Sequence, residues 1–165
     1  NIILNVDNPA DVGNDRLCNI KNIIKKTQYP AIVVDFGSAT TYDVINDNGE
    51  FIGGAIAPGI DVSARYLFEK AAQLDSVPFN FPDSIIGKST ISNLQSGIMY
   101  GGIDSINGML NRILNEVNFD VKNIILTGGF SRLLSNKIIL PHTLDPNLTI
   151  EGIKYIWEEN QWKKF

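Results

Sequence analysis

The chain has 165 residues, 44% hydrophobic and 19% charged, a composition that supports a packed core without a disulfide or metal and excludes intrinsic disorder. With 14 basic against 18 acidic residues the net charge is −4, and no basic run exceeds Lys25-Lys26 or Lys163-Lys164, so the electrostatic stripe of a nucleic-acid surface is not there. No apolar run approaches the ~18 residues of a membrane span, nothing at the start resembles a signal peptide, and a single Cys18 with a single His142 rules out an internal disulfide and a His/Cys metal cage. The expected setting is a reducing cytoplasm, with neither nucleic acid nor membrane as partner.

The first residues, Ile2-Ile3-Leu4, are apolar and run into turn chemistry at Asn5 to Pro9. Leu17, Ile20, Ile23 and Ile24 recur at helical spacing, with Asp15 or Asp11 as the expected N-cap, and Tyr29-Pro30 breaks that helix. Ala31 to Gly37 is a continuous apolar run ending in an acid and a glycine, which predicts a buried central strand. Thr40 to Ile45 predicts a second strand and Phe51 to Ile56 a third. Asn46-Asp-Asn-Gly49 between them is a strong hairpin signal, and Pro58-Gly59 closes an antiparallel meander.

A helix is expected from about Val62 to Leu74, then a Pro-containing loop over 75–90. The longest helix is expected from Ser92 to Val117. Its Gly97, Gly101, Gly102 and Gly108 each cost roughly 1 kcal/mol against alanine, which suggests close backbone approach to a neighbour. Asn123 to Gly129 predicts another buried strand ending in a glycine turn. A short helix over Phe130–Leu134, a loop from Pro141 to Pro146 and a closing helix from Leu148 to Trp157 complete the reading. The order β-β-β-α-β-α predicts an α/β fold with a mixed sheet of the ribonuclease-H-like kind.

Three clusters carry chemistry. Asp35-Phe-Gly-Ser-Ala-Thr-Thr41 sets an acid at a strand end beside a glycine turn and three hydroxyls, which suits phosphate or phosphate plus a cation. It reads equally as a tight turn whose hydroxyls satisfy their own backbone. Gly13-Asn-Asp-Arg16 offers a general base beside an anion-binding arginine, or a helix cap followed by a solvated arginine. Thr127-Gly-Gly129 lets a flat ligand lie against backbone, though such turns are common without one. Gly87-Lys-Ser-Thr90 is not a phosphate loop of the Walker type, because the glycine required six residues before the lysine is missing. His142, Cys18, Trp157 and Trp162 stand outside any cluster and read as structural.

Taken in order, the blocks Val12–Leu17, Val34–Thr41, Gly53–Gly59, Gly87–Thr90 with Leu94–Gly97, and Thr127–Gly129 resemble the type III pantothenate kinase family, of the acetate/sugar kinase–Hsp70–actin superfamily. The resemblance runs from about Pro9 to about Tyr155. It implies an actin-like ATPase lobe that phosphorylates pantothenate with ATP and Mg²⁺, the first step of coenzyme A synthesis, and works as a homodimer. It assigns the catalytic base to Asp15, and pantothenate contacts to Gly13, Asn14, Arg16 and Thr90. A monovalent cation, K⁺ or NH₄⁺, falls on Asp35. ATP contacts fall on Gly37, Ser38, Thr40, Gly128 and Gly129.

Asn14 stands where the family pattern has alanine, adding bulk beside the base, and Ser38 stands for threonine, which keeps the hydroxyl. The family's amino-terminal lobe, with its Asp-x-Gly-Asn-Thr phosphate loop, has no counterpart in these residues. The whole of 1–165 is therefore expected to be a single lobe: a catalytic loop and first helix over 1–28, then the ribonuclease-H-like lobe over 29–165. That makes it half of an ATP cleft, as a fragment or a separately encoded half. Two alternatives stand beside the kinase reading: a non-catalytic regulatory module on the same lobe, and a superfamily kinase acting on a sugar or acetate.

Overall fold

The computed structural model describes residues 1–71 and 73–162. Its frame is a five-stranded sheet: β1 (Ala31–Phe36), β2 (Ala39–Ile45), β3 (Phe51–Pro58), β4 (Asn123–Thr127) and β5 (Thr143–Leu144), in the spatial order β3-β2-β1-β4-β5. β1 is central, as its unbroken apolar run requires. It pairs antiparallel with β2 and parallel with β4. β2 and β3 form the expected meander, turning through Gly49 at φ +74, a conformation that glycine adopts without steric cost. Leu4 bridges Phe51, so the apolar start of the chain adds to the free edge of β3.

Two helical layers cover the sheet. On one face lie α1 (Asn14–Lys25) and α5 (Leu148–Trp162), where Ile20, Ile23 and Leu148 bury against Ala31, Val33, Ile45 and Ile125. On the other lie α2 (Ile60–Lys70) and α3 (Thr90–Glu116), with Met99, Ile103, Ile106 and Leu110 packed on Ile32, Val34, Phe36 and Leu126. Full burial of such aliphatic side chains is worth roughly 1.5–3 kcal/mol each, so both layers are hydrophobically held. A short α4 (Ser131–Leu134) and a 3₁₀ turn (Ser135–Lys137) link β4 to β5. Among the described residues no helix is long and apolar enough to cross a membrane.

Several boundaries differ from the sequence-based expectation, for local reasons. Gly13, not Asp11 or Asp15, is the N-cap of α1, and Asp11 closes a separate 3₁₀ turn over Pro9–Asp11. Asp15 instead sits in the helix's first turn, where a carboxylate complements the helix dipole. α2 spans Ile60–Lys70, short of the expected Leu74; Ala72 lies outside the described residues. α3 starts at Thr90, because Ser89 and Ser92 form a reciprocal capping box. The expected loop from Pro141 to Pro146 contains β5, and α5 continues past Trp157 to Trp162.

The glycines of α3 also divide. A Cβ at Gly102 would press on the Ile60 side chain at 2.9 Å, whereas one at Gly97, Gly101 or Gly108 meets nothing within 4 Å. The expected close approach therefore holds at one glycine, against the Ile60 side chain of α2.

Candidate active site

The sheet face under α1 changes character along its length. Near Ala31 it is apolar; towards the carboxyl ends of β1 and β4 it becomes polar. Strand register sets Thr41, Asp35 and Thr127 directly opposite one another across β2, β1 and β4. Asp43 follows two residues along β2, on the same face as Thr41. The hydroxyls of Thr41 and Thr127 and the Oδ2 of Asp43 are buried without a hydrogen-bond partner among the described residues. Buried polar atoms are rarely left so, and a row of them at a strand end marks a place built to meet something polar.

The first turns of α1 overhang this row. Asn19 is fully buried. Its Nδ2 donates to Asp35 Oδ2 at 3.0 Å, while its Oδ1 accepts from Thr149 Oγ1 of α5 at 2.7 Å. Arg16 Nε donates to Asp43 Oδ1 at 2.6 Å, and the guanidinium lies 5.1 Å from the centroid of the Phe51 ring. Asp15 is exposed, one residue before Arg16.

Electrostatics follow from this crowding. Burial pushes the Asp43 carboxyl up to about 6, against the pull of Arg16 and with a further push from Asp35 and Asp15. Asp35 is also raised, chiefly by burial, with Asn19 opposing and Asp15 adding. Burial, with Asp15, raises the Cys18 thiol one turn along. Asp15 and Asp35 thus add to the negative potential at Asp43, whose one ion-pair partner among the described residues is Arg16, and a bound cation or a proton would relieve it. Among the described residues no three His, Cys, Asp or Glu side chains are close enough to cage a metal.

On the far side of Asp35, β4 is followed by Gly128, whose φ is +88. A Cβ there would collide with the Asp35 carboxylate and stand 2.6 Å from the Phe36 nitrogen, so only glycine lets the β4 turn lie against the end of β1. Gly37, Ser38 and Gly129 are exposed around the same rim. Gly13 and Asn14 are exposed at the start of α1.

Asp15, Arg16, Asp35, Gly37, Ser38, Gly128 and Gly129 therefore gather at one end of the sheet. Thr40 and Thr90 do not join them. Thr40 pairs with Phe36, which turns it to the α3 face, where it lines an apolar cavity of about 460 Å³ between α2, α3 and the sheet. Thr90 is exposed at the first turn of α3, the helix on the opposite face from α1.

Sequence reasoning missed Asp43 and Asn19. Both carried a signal: Asp43 alternates with Thr41 in a strand, and Asn19 lies one helical turn beyond Asp15. His142, expected to be structural, has Nε2 2.9 Å from Ser135 Oγ and Nδ1 2.8 Å from the Leu140 carbonyl, within the β4–β5 connection.

The fold has solved counterparts. A conserved Baf family protein from Campylobacter jejuni matches 97% of this chain and 70% of its own with a TM-score of 0.66 at 23% identity. An archaeal actin homolog matches 87% and 54% with a TM-score of 0.58 at 17% identity. These likenesses establish an actin-like lobe.

Sequence relatives are nearer. Type III pantothenate kinases from Koribacter versatilis, Geobacillus kaustophilus and Roseiflexus sp. are 41%, 42% and 43% identical over 94%, 96% and 95% of the chain. The matches cover 56%, 61% and 61% of those relatives, so the chain spans somewhat more than half their length. The family model for type III pantothenate kinase matches residues 1–112. With that match and these identities, the chain belongs to the type III pantothenate kinase family.

Proposed function

We propose that this lobe, together with an amino-terminal lobe bearing the phosphate loop, transfers the γ-phosphoryl group of ATP to the primary alcohol of pantothenate. The observation that carries the reading is the gathering of Asp15, Arg16 and Asp35 at one sheet end in a chain about 40% identical to pantothenate kinases.

Phosphoryl transfer asks mainly for positioning and charge stabilisation. Asp15, exposed on the first turn of α1, accepts the hydroxyl proton as the alcohol oxygen attacks phosphorus, which requires a hydrogen bond of roughly 2.6–3.2 Å to that hydroxyl. Arg16, with Gly13 and Asn14, holds an anionic oxygen of pantothenate. Gly37, Ser38, Gly128 and Gly129 serve the nucleotide, the exposed amides and hydroxyl at the rim contacting phosphate or adenosine, while Thr40, buried on the α3 face, is left out of that set.

The residues around Asp35 fit a monovalent cation such as K⁺ or NH₄⁺. The donors are all oxygen, namely one raised carboxylate and the unpartnered hydroxyls of Thr41 and Thr127, and oxygen sets suit hard cations. When bound, that cation offsets phosphate charge. Mg²⁺ is held mainly by the ATP phosphates and water.

Thr90 lies on the opposite face from Asp15, so its contact with pantothenate comes from a second copy. The open faces of Gly97, Gly101 and Gly108 on α3 leave room for a second chain, and a homodimer is the assembly proposed.

The test is a product assay with ATP and a panel of pantothenate, acetate and sugars, using the protein with its phosphate-loop lobe. Phosphorylation of pantothenate alone supports the reading, phosphorylation of a sugar or acetate replaces the substrate, and no transfer to any of them refutes it.

A further inference from the structure

Asp43 is a costly residue where it stands. It is fully buried at the centre of β2, and among the described residues its one hydrogen-bond partner is Arg16 Nε, at 2.6 Å; Oδ2 has none. A buried ion pair of this kind is often no more stabilising than well-packed apolar side chains. The surroundings are shaped for the arginine. Phe51 lies under the guanidinium. Gly54, the Cα partner of Asp43 on β3, leaves the space beside it: a Cβ there would sit 3.4 Å from Arg16 Nη2 and collide with the Tyr42 carbonyl.

Asp43 engages only Nε. Among the described residues neither Nη group of Arg16 donates to a protein acceptor, and the Arg16 side chain is 14% exposed against 0% for Asp43. A guanidinium held by Nε keeps its two Nη groups as a planar fork, the geometry that matches a carboxylate bidentately.

We propose that Asp43 is a positioning residue that tethers Arg16 through Nε, so that the two Nη groups form a fixed fork for the carboxylate of the alcohol substrate. This rests on the pantothenate reading above, and pantothenate is the carboxylate used as probe. Asp43 touches no reacting atom; it acts through Arg16 alone.

The experiment is a double-mutant cycle with Asp43→Asn and Arg16→Gln in the protein carrying its phosphate-loop lobe, read by pantothenate KM and kcat and by calorimetric titration with pantothenate alone. Asp43→Asn should raise KM and Kd about tenfold, at the low end of what loss of an orienting partner costs at metal ligands, with kcat changed less than about twofold. In the Arg16→Gln background, Asp43→Asn should add nothing, as coupled residues require. A merely structural role would lower the active fraction, and hence kcat, at constant KM. Unchanged pantothenate affinity in Asp43→Asn, or an undiminished effect without Arg16, overturns the proposal.

A wild-type protein that neither binds nor phosphorylates pantothenate overturns the functional reading and the ligand named here. The tether is then read by itself from the Arg16 Nε–H resonance, assigned by its loss in Arg16→Lys. Slow solvent exchange supports the tether and fast exchange overturns it.

Discussion

At the level of single residues, burial at the polar end of the sheet holds the Asp35 and Asp43 carboxyls above their ordinary range. Burial holds the folded Asp43 carboxyl up at about 6, against an ordinary value of 3.8. A carboxyl whose folded pKa is raised binds its proton more tightly in the folded state. Its stabilising contribution is therefore complete below the unfolded pKa and is lost as pH rises through the folded one. Over this window of about two pH units the loss is about 3 kcal/mol. Asp43→Asn, which stays neutral, should be more stable than wild type at pH 8 by roughly 1–3 kcal/mol, a gain that vanishes near pH 4. Urea denaturation at the two pH values measures this, and a variant less stable at pH 8 would show that Arg16 outweighs burial. Asp35 shares the direction of shift. If a cation sits among Asp35, Thr41 and Thr127, exchanging K⁺ for tetramethylammonium should depress kinase activity, and Asp35→Ala should abolish the response to K⁺. Equal rates in both salts would remove the cation from Asp35.

The residues of the candidate site were unevenly legible. Asp35 announced itself as an acid closing an apolar strand, and Gly128 as a glycine after the next one. Asp43 did not, because an aspartate in a half-polar strand is ordinary until the register shows it opposite Val33 in the sheet's centre and under Arg16. Asn19 was hidden by a helix read for its isoleucines. The role of Thr149 depends on α5 crossing α1 and is a tertiary fact with no local trace.

At the scale of elements, that crossing is the joint that places α1 over the sheet. A Cβ on Gly152 of α5 would collide with the Cys18 carbonyl of α1, so the two helix backbones meet there. Helix propensity alone would have Gly152→Ala stabilise by about 1 kcal/mol. Overpacking against backbone reverses the sign, and Gly152→Ala should destabilise by roughly 1–3 kcal/mol. Gly101→Ala on α3, with open space around its Cβ, should instead stabilise the single chain by roughly 0.5–1 kcal/mol. Opposite signs in denaturant midpoints are expected; the same sign in both would show that the α1–α5 contact is looser than described.

Strands with their own apolar run, such as β1 and β4, and the Asn-Gly hairpin were readable because local chemistry dictates them. β5 was not. Two residues between Pro141 and Pro146 become a strand only by pairing with β4, and no pattern of two residues can signal that. The start of α3 was read at Ser92 because the capping box shifts the boundary back to Ser89.

At the scale of the molecule, the polar end of the sheet lies on the α1 side, and α3 covers the opposite face. Asp15 and Thr90 belong to opposite layers, and the homodimer proposed above would let one pocket draw on both. Light scattering at micromolar concentration should report a mass near twice 18.2 kDa for this chain, through a C₂ interface of roughly 1,200–2,000 Å². A monomer, with and without the phosphate-loop lobe, removes the shared pocket and leaves Thr90 without its proposed role.

If Asp15 is the general base of phosphoryl transfer to pantothenate, removing its basicity slows the chemical step and spares ATP binding. The most direct measurement is steady-state kinetics of Asp15→Asn in the protein with its phosphate-loop lobe. The kcat of Asp15→Asn should fall by roughly 10²–10⁴, with ATP affinity near that of wild type. Turnover equal to wild type would contradict that role.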